Sequence, residues 1–210
     1  MNAVILAGGF ATRLWPLTEK RAKSLLRLRG KPLLYSLLEK IPEKLPIVIS
    51  TNAVSEKDFQ KIVDHFPSKT IRFFFEESEE DHHKRGALGA LSDTIEALNL
   101  QGPLLVMAGD NYFGFSIPDF LKRYQGNTIL ACFDTKSPEK ARGFGVVTVE
   151  QGRIKTFEEK PPQPTSSLIY TGAYIFSPED IPEIILHAKT ASDHIGGIFE
   201  HLMKKGRPLD

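Results

Sequence analysis

One cysteine and one tryptophan in 210 residues, with no apolar stretch approaching membrane-spanning length, exclude several classes at once. A lone cysteine cannot form a disulfide framework. Cys132 also sits inside the apolar run Thr128–Phe133, where a buried structural thiol is expected rather than a nucleophile. Met1 and Asn2 lead directly into Ala3–Ala7, which is too short for a signal-peptide core or a membrane span and has no basic residues before it. A soluble, cytoplasmic protein with no membrane partner is the expectation. Charge of one sign is also missing. Against 27 Lys and Arg stand 26 Asp and Glu, leaving +1. No global field draws the molecule to nucleic acid, and any phosphate chemistry has to come from a local patch.

What is present is a recurrence of short apolar runs: Ala3–Ala7, Ile47–Thr51, Ile71–Phe75, Leu104–Ala108 and Thr128–Phe133. Near-continuous apolar strands of this kind belong in a parallel sheet covered on both faces. Between them lie helical patterns. Ser55–Phe66 places Phe59, Ile62, Val63 and Phe66 on one face behind a cap-like serine, Leu33–Ile41 follows Pro32, and Gly86–Leu98 supplies a third. This rhythm predicts a doubly wound, Rossmann-like α/β unit with a mostly parallel sheet. After Arg142 the pattern changes. Phe144–Val149 and Arg153–Phe157 around Glu150–Gly152 read as an antiparallel hairpin, Leu168–Phe176 as a returning strand, and two helices follow, the second over Asp193–Lys205. The expectation is a single domain over 1–210, with a first half to about 135 and a small antiparallel lobe over about 136–210.

The informative stretch is Leu6–Thr18, which begins where the first strand ends. Carboxyl ends of strands border the ligand crevice in open α/β sheets. Gly8 and Gly9 let backbone amides approach phosphate oxygens, and Arg13 offers a planar fork for them. From Arg13 to Lys31 the chain carries Arg13, Lys20, Arg21, Lys23, Arg27, Arg29 and Lys31 against Glu19 alone. That is the local patch. No G-x-G-x-x-G is present, and Pro32 follows Gly30-Lys31 where a P-loop needs Ser or Thr, so spacing by itself stops at an anion-binding loop.

The segment Gly8–Thr18, followed by Lys23 and Gly30–Leu34, resembles the signature of the sugar-phosphate nucleotidylyltransferases, G-G-x-G-T-R-L-x-P-L-T, then P-K, then K-P. That family includes glucose-1-phosphate thymidylyl- and uridylyltransferases and mannose-1-phosphate guanylyltransferases. Ala11 and Ala22 depart from it, standing where glycine and proline are usual. The resemblance continues in order: Gly86–Leu91 with G-T-A-G-A-L, Gly109-Asp110 with the metal-binding G-D, Gly143–Val147 with G-x-Y-G-V-V, Glu158–Pro161 with E-K-P, and Thr171–Tyr174 with N-x-G-x-Y.

The resemblance implies an enzyme that joins a nucleoside triphosphate to a sugar 1-phosphate, releasing pyrophosphate. Catalytic roles then fall to Arg13 on the leaving phosphates, Lys23 between the α-phosphate and the incoming phosphate, and Asp110 as ligand of Mg²⁺. Leu6, Ala7, Gly8, Gly9, Thr12, Gly86, Ala87 and Gly109 would border the nucleotide. Asn111, Gly145, Glu159, Lys160 and Gly172 would contact the sugar phosphate. Outside these motifs, Asp81–Lys84 reads as a polar loop, and His194 and His201 as surface or capping residues. The family's second metal-binding aspartate has no matching position before Asp210, which leaves a fragment, a replacement by another carboxylate or a loss of activity, and a chain truncated at its carboxyl end is the expectation among these. A homo-oligomer is a possible assembly. Two other functions share the scaffold: a non-catalytic nucleotide-sugar sensor, and a phosphocholine-type cytidylyltransferase, whose acceptor pocket would need aromatics and acids where Lys160 stands.

Overall fold

A computed structural model describes residues 1–9, 11, 14–19, 21–52, 56–76, 86–191 and 193–210. Its spine is a mixed sheet. β1 (Asn2–Leu6), β4 (Ile47–Asn52), β5 (Ile71–Glu76) and β6 (Leu104–Ala108) are mutually parallel in the order β5-β4-β1-β6, and a separate short hairpin, β2 (Arg27–Leu28) and β3 (Lys31–Pro32), lies between β1 and β4 in sequence. All five residues of β1 and β6 pair in register, Asn2 with Leu104 through Leu6 with Ala108. Their carboxyl ends therefore finish level.

The alternation of side chains explains why these strands are apolar throughout. Val4, Val48 and Val106 face one cluster with Leu88, Leu91 and Ile95 of α3 (Gly86–Leu98), Ile184 of α6 (Ile181–Ala188) and Phe199 of α7 (Gly196–Lys204). Ala3, Ile5, Ile49 and Met107 face the other, with Leu34 and Leu38 of α1 (Leu33–Leu38), Phe59 and Ile62 of α2 (Glu56–His65), and Ile117 of α4 (Ile117–Arg123). Helices thus cover both faces, the three-layer arrangement the rhythm implied. Each fully buried Leu, Ile or Phe contributes roughly 1.5–3 kcal/mol of transfer free energy. Helix α4 was not legible as such, although Ser116 caps it by accepting from the Asp119 amide at 3.3 Å.

The antiparallel part is woven into the same sheet. β10 (Leu168–Phe176) lies antiparallel to β6 along Ala173–Phe176, touches β8 (Gly145–Glu150) at Ile169, and runs beside β7 (Ile129–Asp134) on its other edge. β8 and β9 (Arg153–Glu159) form the expected hairpin. Between Tyr170 and Tyr174 the register against β7 shifts, with four steps on β10 facing two on β7, Cys132 to Leu130. Gly172, at φ +75°, lies in this bulge. The short helix α5 (Pro138–Ala141) links β7 to β8. The last residues extend beside β7: Leu209 bridges Thr128, and the Leu130 and Ile154 amides donate to the Asp210 and Leu209 carbonyls, each at 2.9 Å. No helix among the described residues is long and apolar enough to cross a membrane.

Two sequence expectations need correction. Cys132 is exposed on β7 rather than buried in the core, because burial along that strand ends after Leu130 although its residues stay apolar as far as Phe133. Packing around its thiol still pushes the pKa up to about 11, so it remains unsuited to nucleophilic work. His201 is half-buried: its ring stacks on His187 at 4.6 Å and bonds Glu183 Oε2 at 2.7 Å, while His194 is exposed beside Asp193.

Candidate functional site

The level strand ends build the site. Leu6 accepts from the Gly109 amide at 2.8 Å and Ala7 donates to Ser50 at 2.7 Å, so the chain leaves β1 pinned to both neighbours. Asn52 Nδ2 then donates to the Gly8 carbonyl at 3.1 Å. Gly109 is tightly enclosed: an added Cβ would lie 3.0 Å from Ile5 Cγ2, 3.1 Å from Ala7 Cβ and 3.1 Å from the Leu6 carbonyl, so a side chain there would press on its neighbours. Gly9 has nothing within 4 Å of that position and is exposed, leaving its backbone open to a ligand.

Beyond Gly9 the loop is closed by Thr18, whose hydroxyl donates to the Ala11 carbonyl at 2.8 Å. Ala11 has φ +50°, the left-handed region that glycine occupies without strain. The first departure from the family's pattern is therefore a strained residue, not merely a bulkier one. The second is neutral: Ala22 has φ −58°, close to the value a proline ring imposes. Thr12 and Arg13 lie outside the described residues, as do Asp81–Lys84, which the sequence reads as a polar loop.

Lys23 opens a single 3₁₀ turn, Lys23–Leu25, anchored by buried Ser24 and Leu25. From there its Nζ reaches Asp110 Oδ2 at 2.7 Å, across 87 positions of sequence. Two of the three residues expected to carry catalysis thus meet at the end of β6. Each side chain is 38% exposed, so the pair is open to solvent rather than sealed in the core. Ser24 Oγ, directly after Lys23, is buried with no hydrogen-bond partner.

Asn111 continues the site toward the antiparallel part. Its Nδ2 donates to the Thr171 carbonyl at 2.8 Å, and an added Cβ on Gly172 would lie 3.1 Å from that nitrogen. The amide thus fastens the β6 end to the β10 bulge. At the far side Gly145 pairs with Glu159, and a Cβ on Gly145 would overlap the Tyr170 ring at 2.5 Å, so packing alone requires glycine there. Tyr170 is pushed up to about 12 by burial, with the charge of Glu159 adding to it. Glu159 Oε1 lies 3.4 Å from Lys160 Nζ, while Oε2 is buried and has no partner. A buried acceptor without a donor costs stability unless a ligand supplies one. Lys160 turns at φ +46° and leaves its side chain more than half exposed.

The opening of α3 completes the set. Gly86 has φ +71°, and the Ala87 amide donates to the Asp193 carbonyl at 3.2 Å. Sequence reading missed Glu76, at the end of β5. Its carboxylate lies against Gly8, filling the space a side chain there would need, and accepts from Ser50 Oγ at 3.3 Å. Burial raises its pKa, the Ser50 hydroxyl partly offsets that, and Asp93 adds repulsion. The one signal that could have found it is the strand-end rule, since Glu76 directly follows the apolar run Ile71–Phe75 and, as the structure shows, pairs with Asn52 at the carboxyl end of the sheet.

Among the described residues no three His, Cys, Asp or Glu side chains gather as a metal cage. Asp110 nevertheless suits magnesium in a triphosphate site, where one carboxylate is joined by phosphate oxygens and water.

The sequence profile for nucleotidyl transferases matches residues 2–209. A UTP–glucose-1-phosphate uridylyltransferase, AglF, of Haloferax volcanii is 28% identical over all of this chain and 86% of its own length. The bifunctional protein GlmU of Methanocaldococcus jannaschii is 32% identical over 98% of this chain, which spans about half, 47%, of that relative. A solved UDP-glucose pyrophosphorylase, complexed with UDP-glucose, superposes with a TM-score of 0.77 at 20% identity, over 99% of this chain and 89% of its own. That likeness shows the shared fold.

Proposed function

This chain belongs to the nucleotidyl transferase family, and on that premise we propose that it joins a nucleoside triphosphate to a sugar 1-phosphate. An oxygen of the sugar phosphate attacks the α-phosphorus. The bond to the bridging oxygen of the β-phosphate breaks, and pyrophosphate leaves with that electron pair, in line. The product is a nucleotide sugar. The observation that carries the reading is Lys23 Nζ at 2.7 Å from Asp110 Oδ2, at the carboxyl edge of the sheet where β1 and β6 end level.

Catalysis of this kind is positioning and charge neutralisation. The backbone at Gly8 and Gly9 receives the triphosphate, and Arg13 takes its leaving end. Lys23 lies between the α-phosphate and the acceptor phosphate, lowering the repulsion between two anions that must touch. Asp110 would hold Mg²⁺, which when bound would neutralise charge on the phosphate oxygens. Lys160 meets the acceptor's phosphate, and the unpartnered Glu159 Oε2 accepts from a sugar hydroxyl. AglF supports a glucose 1-phosphate acceptor and UTP donor as the first pair to try.

The test is a panel of triphosphates against several sugar 1-phosphates, scored for pyrophosphate release. Turnover with at least one pair is expected, and Lys23→Ala lowers it roughly a hundredfold or more. Silence across the panel, or a Lys23→Ala enzyme at near-normal rate, overturns the reading.

A further inference from the structure

We propose that Gly196, in the first turn of α7, is a positioning residue for the acceptor site: its missing side chain leaves the space in which the Glu159 carboxylate is held ready for a ligand hydroxyl. The proposal rests on the reading of Glu159 as an acceptor residue. A Cβ built on Gly196 would lie 2.5 Å from Glu159 Oε2 and 3.0 and 3.1 Å from the Phe157 ring. Glu159 Oε2 is the same oxygen that is buried without a donor. Helix α7 thus shapes the acceptor carboxylate's seat and supplies it with no hydrogen bond.

Backbone conformation does not demand a glycine at this position. Gly196 is absent from the positive-φ glycines and lies within a helix, where alanine has the better intrinsic propensity. The demand is steric and comes from Glu159 and Phe157. The oxygen that would clash is the far end of a flexible side chain, so an added methyl displaces the carboxylate rather than the backbone. The same turn also reaches the nucleotide side, because the Asp193 carbonyl, three residues earlier, accepts from the Ala87 amide. One segment therefore touches both half-sites. Its neighbour Gly197 offers a control, since a Cβ there would meet only His187 Nε2, at 3.3 Å.

Gly196→Ala is compared with Gly197→Ala and Glu159→Gln, using UTP with glucose 1-phosphate and GTP with mannose 1-phosphate as probe pairs. Gly196→Ala is expected to raise the KM for sugar phosphate roughly tenfold or more, the loss of a hydrogen bond to a charged group. The KM for triphosphate and the thermal midpoint stay close to wild type, and Gly197→Ala keeps both KM values. In the Glu159→Gln background Gly196→Ala should add little, since both act on one contact. If Glu159→Gln raises the acceptor KM and Gly196→Ala does not, this inference fails alone. If Glu159→Gln leaves the acceptor KM unchanged, the assignment of Glu159 fails first. A crystal structure of Gly196→Ala gives a readout independent of turnover: the carboxylate swung off α7 supports the proposal, and an unmoved carboxylate overturns it.

Discussion

At Ala11 the backbone adopts φ +50° with a side chain present, a conformation costing about 1–3 kcal/mol for a non-glycine residue. Ala11→Gly should relieve part of that strain. The larger freedom of glycine in the unfolded chain offsets some of the gain, leaving about 0.5–1 kcal/mol, measurable as a raised urea midpoint. A lowered midpoint would mean the loop tolerates alanine without strain. Glu76 is the opposite case, a charge held where water is scarce. Its carboxyl pKa is raised above the usual 4.5, so the folded chain binds that proton more tightly than the unfolded one. Stability then falls as pH rises from the unfolded value through the raised one, and stays lowered above it. Glu76→Gln should therefore raise the thermal midpoint more at pH 7 than at pH 4; equal gains at both would remove the ionisation argument. Neither effect was legible from sequence. The motif showed that Ala11 departs from glycine but not its backbone angle, and Glu76 meets Gly8 only because β4 places β5 within reach of the β1 end.

Among the elements, the strands were the most legible, since Leu104–Ala108 and Leu168–Phe176 begin and end where their apolar runs do. Helix ends were less so: α7 starts at Gly196 rather than Asp193, because residues 193–195 are spent on the turn that reaches Ala87. Strand order was hidden, because β10 pairs with β6, β7 and β8 across long sequence gaps that no local pattern records. The tie between α6 and the last residues was hidden too. Asp180, 2% exposed, accepts from Thr128 Oγ1 at 2.6 Å and Arg207 Nε at 2.7 Å, and Thr128 also pairs through its backbone with Asp210. Asp180→Ala leaves the Thr128 hydroxyl, which still accepts from the Ser177 amide, with no acceptor, and leaves the Arg207 guanidinium without its carboxylate, so a loss of about 1–3 kcal/mol is expected in urea unfolding, with an unchanged slope. A loss under 0.5 kcal/mol would show the tie to be redundant.

For the molecule as a whole, the proposed donor and acceptor residues are carried by strands, turns and helices that pack on one continuous sheet, so ligand binding should register as global stability. Saturating a site at a hundred times Kd adds about 2.7 kcal/mol. For a chain of this size that corresponds to roughly 5–10 °C in thermal midpoint. Triphosphate with Mg²⁺ should give such a rise in calorimetry, and chelation should remove most of it along with turnover. A rise indifferent to chelator would discard Asp110 as a metal ligand. At this scale the resemblance was the informative signal, since charge balance and length excluded classes without choosing one. It linked Lys23 and Asp110 before any distance was known.

The shifted register in β10 has a consequence for how the gene can change. Upstream of it the strand is clasped by the hairpin and downstream by β6, so the spacing between Tyr170 and Tyr174 works as a fixed ruler. Adding or deleting one codon there would send every later side chain of the strand to the opposite layer, turning Tyr174 and Phe176 out of the cluster they fill. In this part of the chain the turns at Glu150–Gly152 and at 161–167 can absorb changes in length without altering the strand's register, so descendants of this sequence should differ there while keeping that interval unaltered.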